Sequence, residues 1–346
     1  MKPRHLIPLI ALVSLSAGPI AAQDGKTQAP PPSPSPGEIA AAAPATDWKD
    51  IAADDLLVMT LAPDAAGKLR KVLIQLLPAP FSQGWVGNIR TLARAHYWDG
   101  LAIYRVQDNY VTQWGDPEDD EKTARKKPDG LREMPESDYE APFPVQARSA
   151  ALAALPEGVG GREPYGGSPF FFQGWPVASA VLSDTPIKDA GSGKAMSGKA
   201  ILAPAEQKAW PVHCYGMVGV ARGQRPSTGD GSTLYTVIGH APRHLDRNIA
   251  LAGRVAEGME HLSSLPRGPG AQGFYDDATM RVPIVSVRLA SDLPAAEQPH
   301  VQYLSTESAS FARYADARAH RRDPFFLAPA DGADICNIPV PIRRRP

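Results

Sequence analysis

Arg105 stands out among the residues able to do chemistry, because it follows an aromatic residue inside the apolar run Ile103-Tyr104-Arg105-Val106. A guanidinium is always charged and carries a planar fork of donors. Held on a strand, it can stabilise charge developing on a bound group without forming a bond to it. Gln113, in the next strand-like run, offers an amide that can both donate and accept, and can simply satisfy backbone groups of its own sheet. Taken alone, an arginine in such a place is more often a solvated or salt-bridged surface residue, so its weight depends on what surrounds it.

Other constellations are weaker. Gly193-Lys194-Ala195-Met196-Ser197-Gly198-Lys199 has the spacing of a phosphate loop, but Ala200 stands where Ser or Thr would meet magnesium, so it reads as a flexible segment. Gly191-Ser192-Gly193 lacks the elbow of a serine hydrolase. His213 with Cys214, or His240 with His244, supply too few ligands for a closed metal site, and neither metal nor cofactor is expected. Cys214 and Cys336 are the only cysteines. They either form a bridge tying the chain's end to the main domain or are two unrelated buried thiols.

Composition narrows the class. The 36 basic and 37 acidic residues leave a formal charge of -1, which provides no general field for nucleic acid or an anionic membrane. Proline at 36 and glycine at 30 favour strands, turns and linkers over a helical fold. The basic start Met1-Lys2-Pro3-Arg4-His5, the apolar stretch Leu6 to Ala17 and the small residues up to Ala22 read as a signal peptide over 1–22, cleaved near Ala22. The apolar stretch is short for a membrane span, so stable membrane insertion is not expected and the mature chain should be periplasmic or secreted. Residues 23–46, rich in Ala and Pro, read as an extended linker.

The elements that would position Arg105 follow. Leu56 to Leu61 and Val72 to Leu77 form a hairpin-like pair, and Val86, Ile89, Leu92 and Ala93 recur at helical spacing. Asp99-Gly100 turns the chain into the Arg105 run. Residues 117–211 carry little periodicity and read as an insertion, partly self-packed or functional, whose Phe170-Phe171-Phe172 patch docks on the body. Strand patterns return at Gly216 to Ala221, Leu234 to Ile238, Ile249 to Val255 and Val282 to Leu289, with a short helix near Glu257 to Leu262. Many short strands without crossover helices favour a mainly β, closed antiparallel barrel over 47–293. Residues 294–346 read as a solvated C-terminal extension with helical spacing at Phe311 to Ala315.

The segment from Tyr97-Trp98-Asp99-Gly100 through Ile103-Tyr104-Arg105-Val106 to Gln113-Trp114-Gly115-Asp116 resembles the signature of the cyclophilin-type peptidyl-prolyl cis-trans isomerases. Val220-Ala221-Arg222, Gly231-Ser232-Thr233-Leu234-Tyr235, Leu245-Asp246 and Gly253-Arg254-Val255 match further family stretches in order. The resemblance implies an eight-stranded antiparallel β-barrel capped by two helices. It also implies proline-containing polypeptide clients, with Arg105 as the catalytic cation and Gln113 on the substrate backbone. Tyr110, Val111 and Tyr235 would line a proline pocket, Leu245 would lie near its rim, and Ala221, Thr233 and His244 would complete the groove.

The departures are specific. Tyr104 stands for the family's usual His, Tyr110 and Tyr235 for its Phe residues, Val111 for Met, Thr233 for Gln, His244 for Trp and Ile249 for a groove His. Two tyrosine hydroxyls imply a more polar pocket, and a buried one needs a hydrogen-bond partner. The loss of an aromatic at His244 should weaken cyclosporin-type inhibition. The alternative is a catalytically weak cyclophilin-like chaperone or binding module.

Overall fold

Apolar runs of strand length, separated by Gly- and Pro-containing turns, build most of the body. A computed structural model describes residues 33–118, 120, 122–160, 163–165, 167–180, 207–328 and 330–346. The segment read as a signal peptide and the phosphate-loop-like and Gly-Ser-Gly segments lie outside the described residues, as do residues 23–32 of the linker reading. Helix α1 (Pro36–Ala41) precedes β1 (Trp48–Asp50), β2 (Leu56–Leu61) and β3 (Arg70–Leu76), then α2 (Gln83–Arg94), β4 (Ala102–Val106) and β5 (Val111–Gly115). The insertion contributes β6 (Ala141–Pro142), α3 (Val145–Ala153), β7 (Gly167–Phe172), β8 (Trp175–Ala180) and β9 (Lys208–Pro211). There follow β10 (Met217–Val220), β11 (Leu234–Val237), β12 (Leu251–Glu257), α4 (Glu260–Ser263) and β13 (Val282–Leu289). The tail holds β14 (Val301–Leu304), α5 (Ala309–Ala319) and β15 (Ile342–Arg344).

Eight strands close into a barrel in the order β10-β11-β5-β4-β13-β2-β3-β12, all antiparallel. Closure leaves no sheet edge exposed and explains how so many short strands are stable. Helix α2 buries Trp85, Val86, Ile89, Leu92 and Ala93, the face its spacing predicted, and contacts β12 and β13.

Two readings are corrected. The segment assigned to an extended linker contains α1, because Ser35 and Glu38 form a capping box, with Glu38 Oε2 accepting from Ser35 N at 2.7 Å and Pro36 opening the helix. Composition had outweighed that local signal. The tail is packed rather than solvated. Phe311, Tyr314 and Ala315 of α5 are buried, α5 packs against α1, and Tyr314 donates its hydroxyl to the Pro339 carbonyl at 2.7 Å.

The insertion folds on itself as a four-stranded sheet, β6-β9-β8-β7. Phe81 stacks on Phe143, and Phe172 packs edge-on against both, which joins the insertion to the barrel side of the core. Cys214 and Cys336 form a disulfide, with Cα atoms 5.1 Å apart.

Candidate active site

Strand pairing places four residues in one row across the barrel. Arg105 on β4 pairs with Gln113 on β5, Gln113 pairs with Tyr235 on β11, and Tyr235 pairs with Gly219 on β10. Directly paired residues project to the same face of an antiparallel sheet, so the row is a side-chain neighbourhood as well as a backbone one. The β4–β5 register shifts between Ile103 and Arg105, a bulge of the kind that re-aims a side chain.

Arg105 is held by three neutral acceptors. Its Nη1 donates to Gln113 Oε1 at 2.9 Å, its Nη2 to Gln107 Oε1 at 2.5 Å and its Nε to the Gln272 carbonyl at 2.8 Å. The Phe274 ring lies 5.2 Å from its Cζ and stacks in turn on Tyr104. Among the described residues no carboxylate pairs with this guanidinium, so its position is fixed while its charge is not neutralised. Burial lowers its pKa, the sign expected of a cation partly withdrawn from water. Gln113 completes the link by donating from Nε2 to the Tyr104 hydroxyl at 2.7 Å.

Beside this cation, Val111, Tyr235 and Val237 form a buried apolar cluster, with Tyr110, Ala221 and Ile249 packed against it. Gly219 has a geometric reason to lack a side chain, since a Cβ there would stand 2.2 Å from Tyr235 Cζ. The pocket is not made more polar by Tyr235, contrary to expectation. Its hydroxyl turns inward and meets His213 Nε2 at 2.9 Å. Burial, with smaller effects from Tyr110 and Asp246, pushes this hydroxyl well above the ordinary tyrosine range. Burial also raises Tyr110, with Arg105 opposing.

An open cavity of about 560 Å3 adjoins the row, walled by Gln113, Ala221 and Thr233 on the barrel side and by Lys127, Leu131 and Arg132 of the insertion. Helix α2 positions both walls. Asn88 Nδ2 donates to the Arg132 and Asp230 carbonyls at 2.7 and 3.0 Å, and Trp85 Nε1 donates to the Gly229 carbonyl at 2.9 Å. His244 is exposed and Leu245 half-buried on the 3-10 turn Arg243–Leu245, while the following Asp246 turns inward. The sequence reading passed over Gln107, Gln272 and Phe274 around Arg105, and weighed His213 only as a metal ligand. Among the described residues there is no group of three or more His, Cys, Asp or Glu placed to hold a metal, and no helix long and apolar enough to cross a membrane.

The model of the cyclophilin type peptidyl-prolyl cis-trans isomerases matches residues 83–289, more than half the chain and the whole span from α2 to β13. The chain belongs to this family. It is thus a peptidyl-prolyl cis-trans isomerase, and proline-containing peptides are what cyclophilins bind. The fold is also that of a cyclophilin from Hirschia baltica, at 20% identity and a TM-score of 0.57, with 82% of this chain and 92% of that chain covered. A Cryptosporidium parvum cyclophilin-type peptidyl-prolyl cis-trans isomerase, crystallised with the dipeptide Ala-Pro, aligns at 9% identity over 68% of this chain and 98% of its own, with a TM-score of 0.35. No curated protein sequence matches the chain.

Proposed function

We propose that this cyclophilin isomerises X-Pro bonds of exported polypeptides by electrostatic stabilisation of the twisted amide, without a covalent intermediate. Rotation about a peptide bond meets a barrier of about 18–20 kcal/mol because the amide is resonance-stabilised. The uncatalysed X-Pro change takes tens to hundreds of seconds. When the bond twists, conjugation is lost and the prolyl nitrogen gains lone-pair character. A site that binds this form better than either planar one accelerates the change with no proton or bond transferred.

The observation that carries the reading is the Arg105 guanidinium fixed by three neutral acceptors beside the Val111–Tyr235 cluster. The proline ring would sit against Tyr110, Val111 and Tyr235 with Leu245 at the rim, and the flanking chain would enter the cavity beside Gln113, Ala221 and Thr233. His244 would lie exposed at the groove's far side. Export and a periplasmic or secreted location are supported by the signal-peptide pattern and by the Cys214–Cys336 bridge, since disulfides persist in oxidising compartments.

The test is an isomerisation assay on X-Pro peptides. We expect a rate well above background that falls at least about 100-fold in Arg105→Ala, the scale of losing one electrostatic donor. A folded protein with no activity, or an Arg105→Ala variant as active as the parent, would overturn the catalytic reading. Capture of unfolded chains by such an inactive protein would instead support the binding-module alternative, which the insertion's share of the cavity wall favours.

A further inference from the structure

A second constellation lies beneath the proline-binding face and is not used by the chemistry above. His213, two residues past the insertion, is fully buried, and Tyr235, Asp246 and Arg243 are buried. His213 Nδ1 and its backbone N–H both meet Asp246 Oδ1 at 2.9 Å, and Nε2 meets the Tyr235 hydroxyl at 2.9 Å. Asp246 Oδ2 accepts from Arg243 Nε at 2.7 Å, and the Arg243 fork grips Glu163 of the insertion at 3.0 and 2.5 Å. Charges therefore alternate from Glu163 of the insertion through Arg243 to Asp246, and the hydrogen-bonded line continues through His213 to the ring lining the proline pocket.

The proton positions follow from chemistry. A carboxylate can only accept, so the ring proton of His213 sits on Nδ1 facing Asp246. In the neutral imidazole, Nε2 then accepts, and Tyr235 donates to it. With its one proton committed inward, Tyr235 presents its ring to the pocket and keeps its hydroxyl away from it. Gly219 provides the room for that pose. A buried hydroxyl stripped of its acceptor is costly, and the ring could relieve that cost by swinging outward into the space a proline would use.

We propose that His213, oriented by Asp246, is a positioning residue that locks Tyr235 as an apolar wall of the proline pocket. The proposal rests on the reading of the Arg105 face as the isomerase site. It predicts coupling between His213 and the Tyr235 hydroxyl.

The experiment is a double-mutant cycle with His213→Leu and Tyr235→Phe in the full chain, reading KM and kcat separately on an X-Pro peptide. His213→Leu should raise KM at least tenfold in the parent, with kcat changed less than threefold. The same substitution should cost less than twofold in KM when Tyr235→Phe is already present. Equal costs in both backgrounds would show a purely structural role and overturn the proposal. Should His213→Leu fail to fold, the tautomer decides: nitrogen NMR of the unmodified protein should find His213 protonated at Nδ1 and bare at Nε2. The reverse tautomer or a doubly protonated ring overturns the assignment. Arg105→Ala, measured alongside, separates the two levels. If it keeps full activity, the site reading falls and this proposal with it; if it is inactive while the cycle shows no coupling, only the proposal falls.

Discussion

Arg105 and Gln113 face each other across β4 and β5, and the arginine Nη1 donates to the glutamine Oε1 at 2.9 Å. The fork reaches Gln107 and the Gln272 carbonyl as well, in directions an ammonium cannot reproduce. Arg105→Lys keeps the charge and loses the geometry. Its kcat/KM on an X-Pro peptide should fall by about 100-fold, close to the alanine variant. Recovery of near-parental activity by lysine would mean that charge alone suffices.

Phe274 braces the guanidinium from its open side, 5.2 Å from Cζ. A cation over an aromatic face at a partly exposed site is worth about 0.5–1 kcal/mol. Phe274→Ala should accordingly lower kcat/KM by about two- to fivefold through a less well-fixed Arg105. The melting temperature should change little, because Phe274 is among the exposed large apolar residues. Steady-state kinetics paired with a thermal melt checks both parts.

The Cys214–Cys336 bridge closes a loop with a sequence separation of 122. Removing a native disulfide from a small secreted domain typically costs about 2–5 kcal/mol. Cys336→Ser, or the parent under reductant, should lose stability on that scale in a denaturant titration. The loss should be absent when reductant is added to the variant.

Acid should loosen the cavity wall. Burial disfavours the Asp230 carboxylate, but Lys127 at 2.7 Å and the Ser232 backbone and hydroxyl outweigh it and hold its pKa below the ordinary 3.8. A depressed folded-state pKa means that the unfolded chain binds the proton first. The stabilisation is therefore complete above the ordinary value and is lost as pH falls through the lower folded one. Melting temperature measured from pH 6 to pH 2.5 should drop with acid, and Lys127→Met should flatten the low-pH end. A drop of unchanged steepness in Lys127→Met would contradict this.

His244 is exposed, at the position where the family resemblance implies a Trp. Cyclosporin-type ligands should inhibit the parent weakly, and His244→Trp should tighten binding by about tenfold or more, as one added aromatic contact can. Calorimetric titration of both proteins measures the change.

The barrel was legible because its strands are apolar runs bounded by turns, and because α2 shows Val86, Ile89 and Leu92 at helical spacing. The Arg105–Gln113–Tyr235 row was legible only through family resemblance, since cross-strand pairing is a property of register rather than of any local pattern. What escaped reading depends on distance along the chain. His213 meets Asp246 and Tyr235 only after the barrel has closed, so in sequence it looked like half of a metal site. Phe274 and Gln272 reach Arg105 from a loop with no strand signal of its own. The tail was misread for a related reason. Phe311 sits edge-on to Phe171 of the insertion, Tyr314 reaches the Pro339 carbonyl, and α1, itself hidden in a Pro- and Ala-rich stretch, packs on the same helix, so their partners lie far along the chain.

The small sheet β1-β14-β15 joins strands from near the two ends of the described chain, with Trp48 opposite Leu304 and Tyr303 opposite Ile342. Its middle strand is shielded on each flank by a different terminus. Trimming the protein from one end would leave β14 with a bare edge, inviting intermolecular pairing. A minimal catalytic barrel would therefore have to shed all three strands together, whereas circular permutation through this sheet would keep every pairing intact.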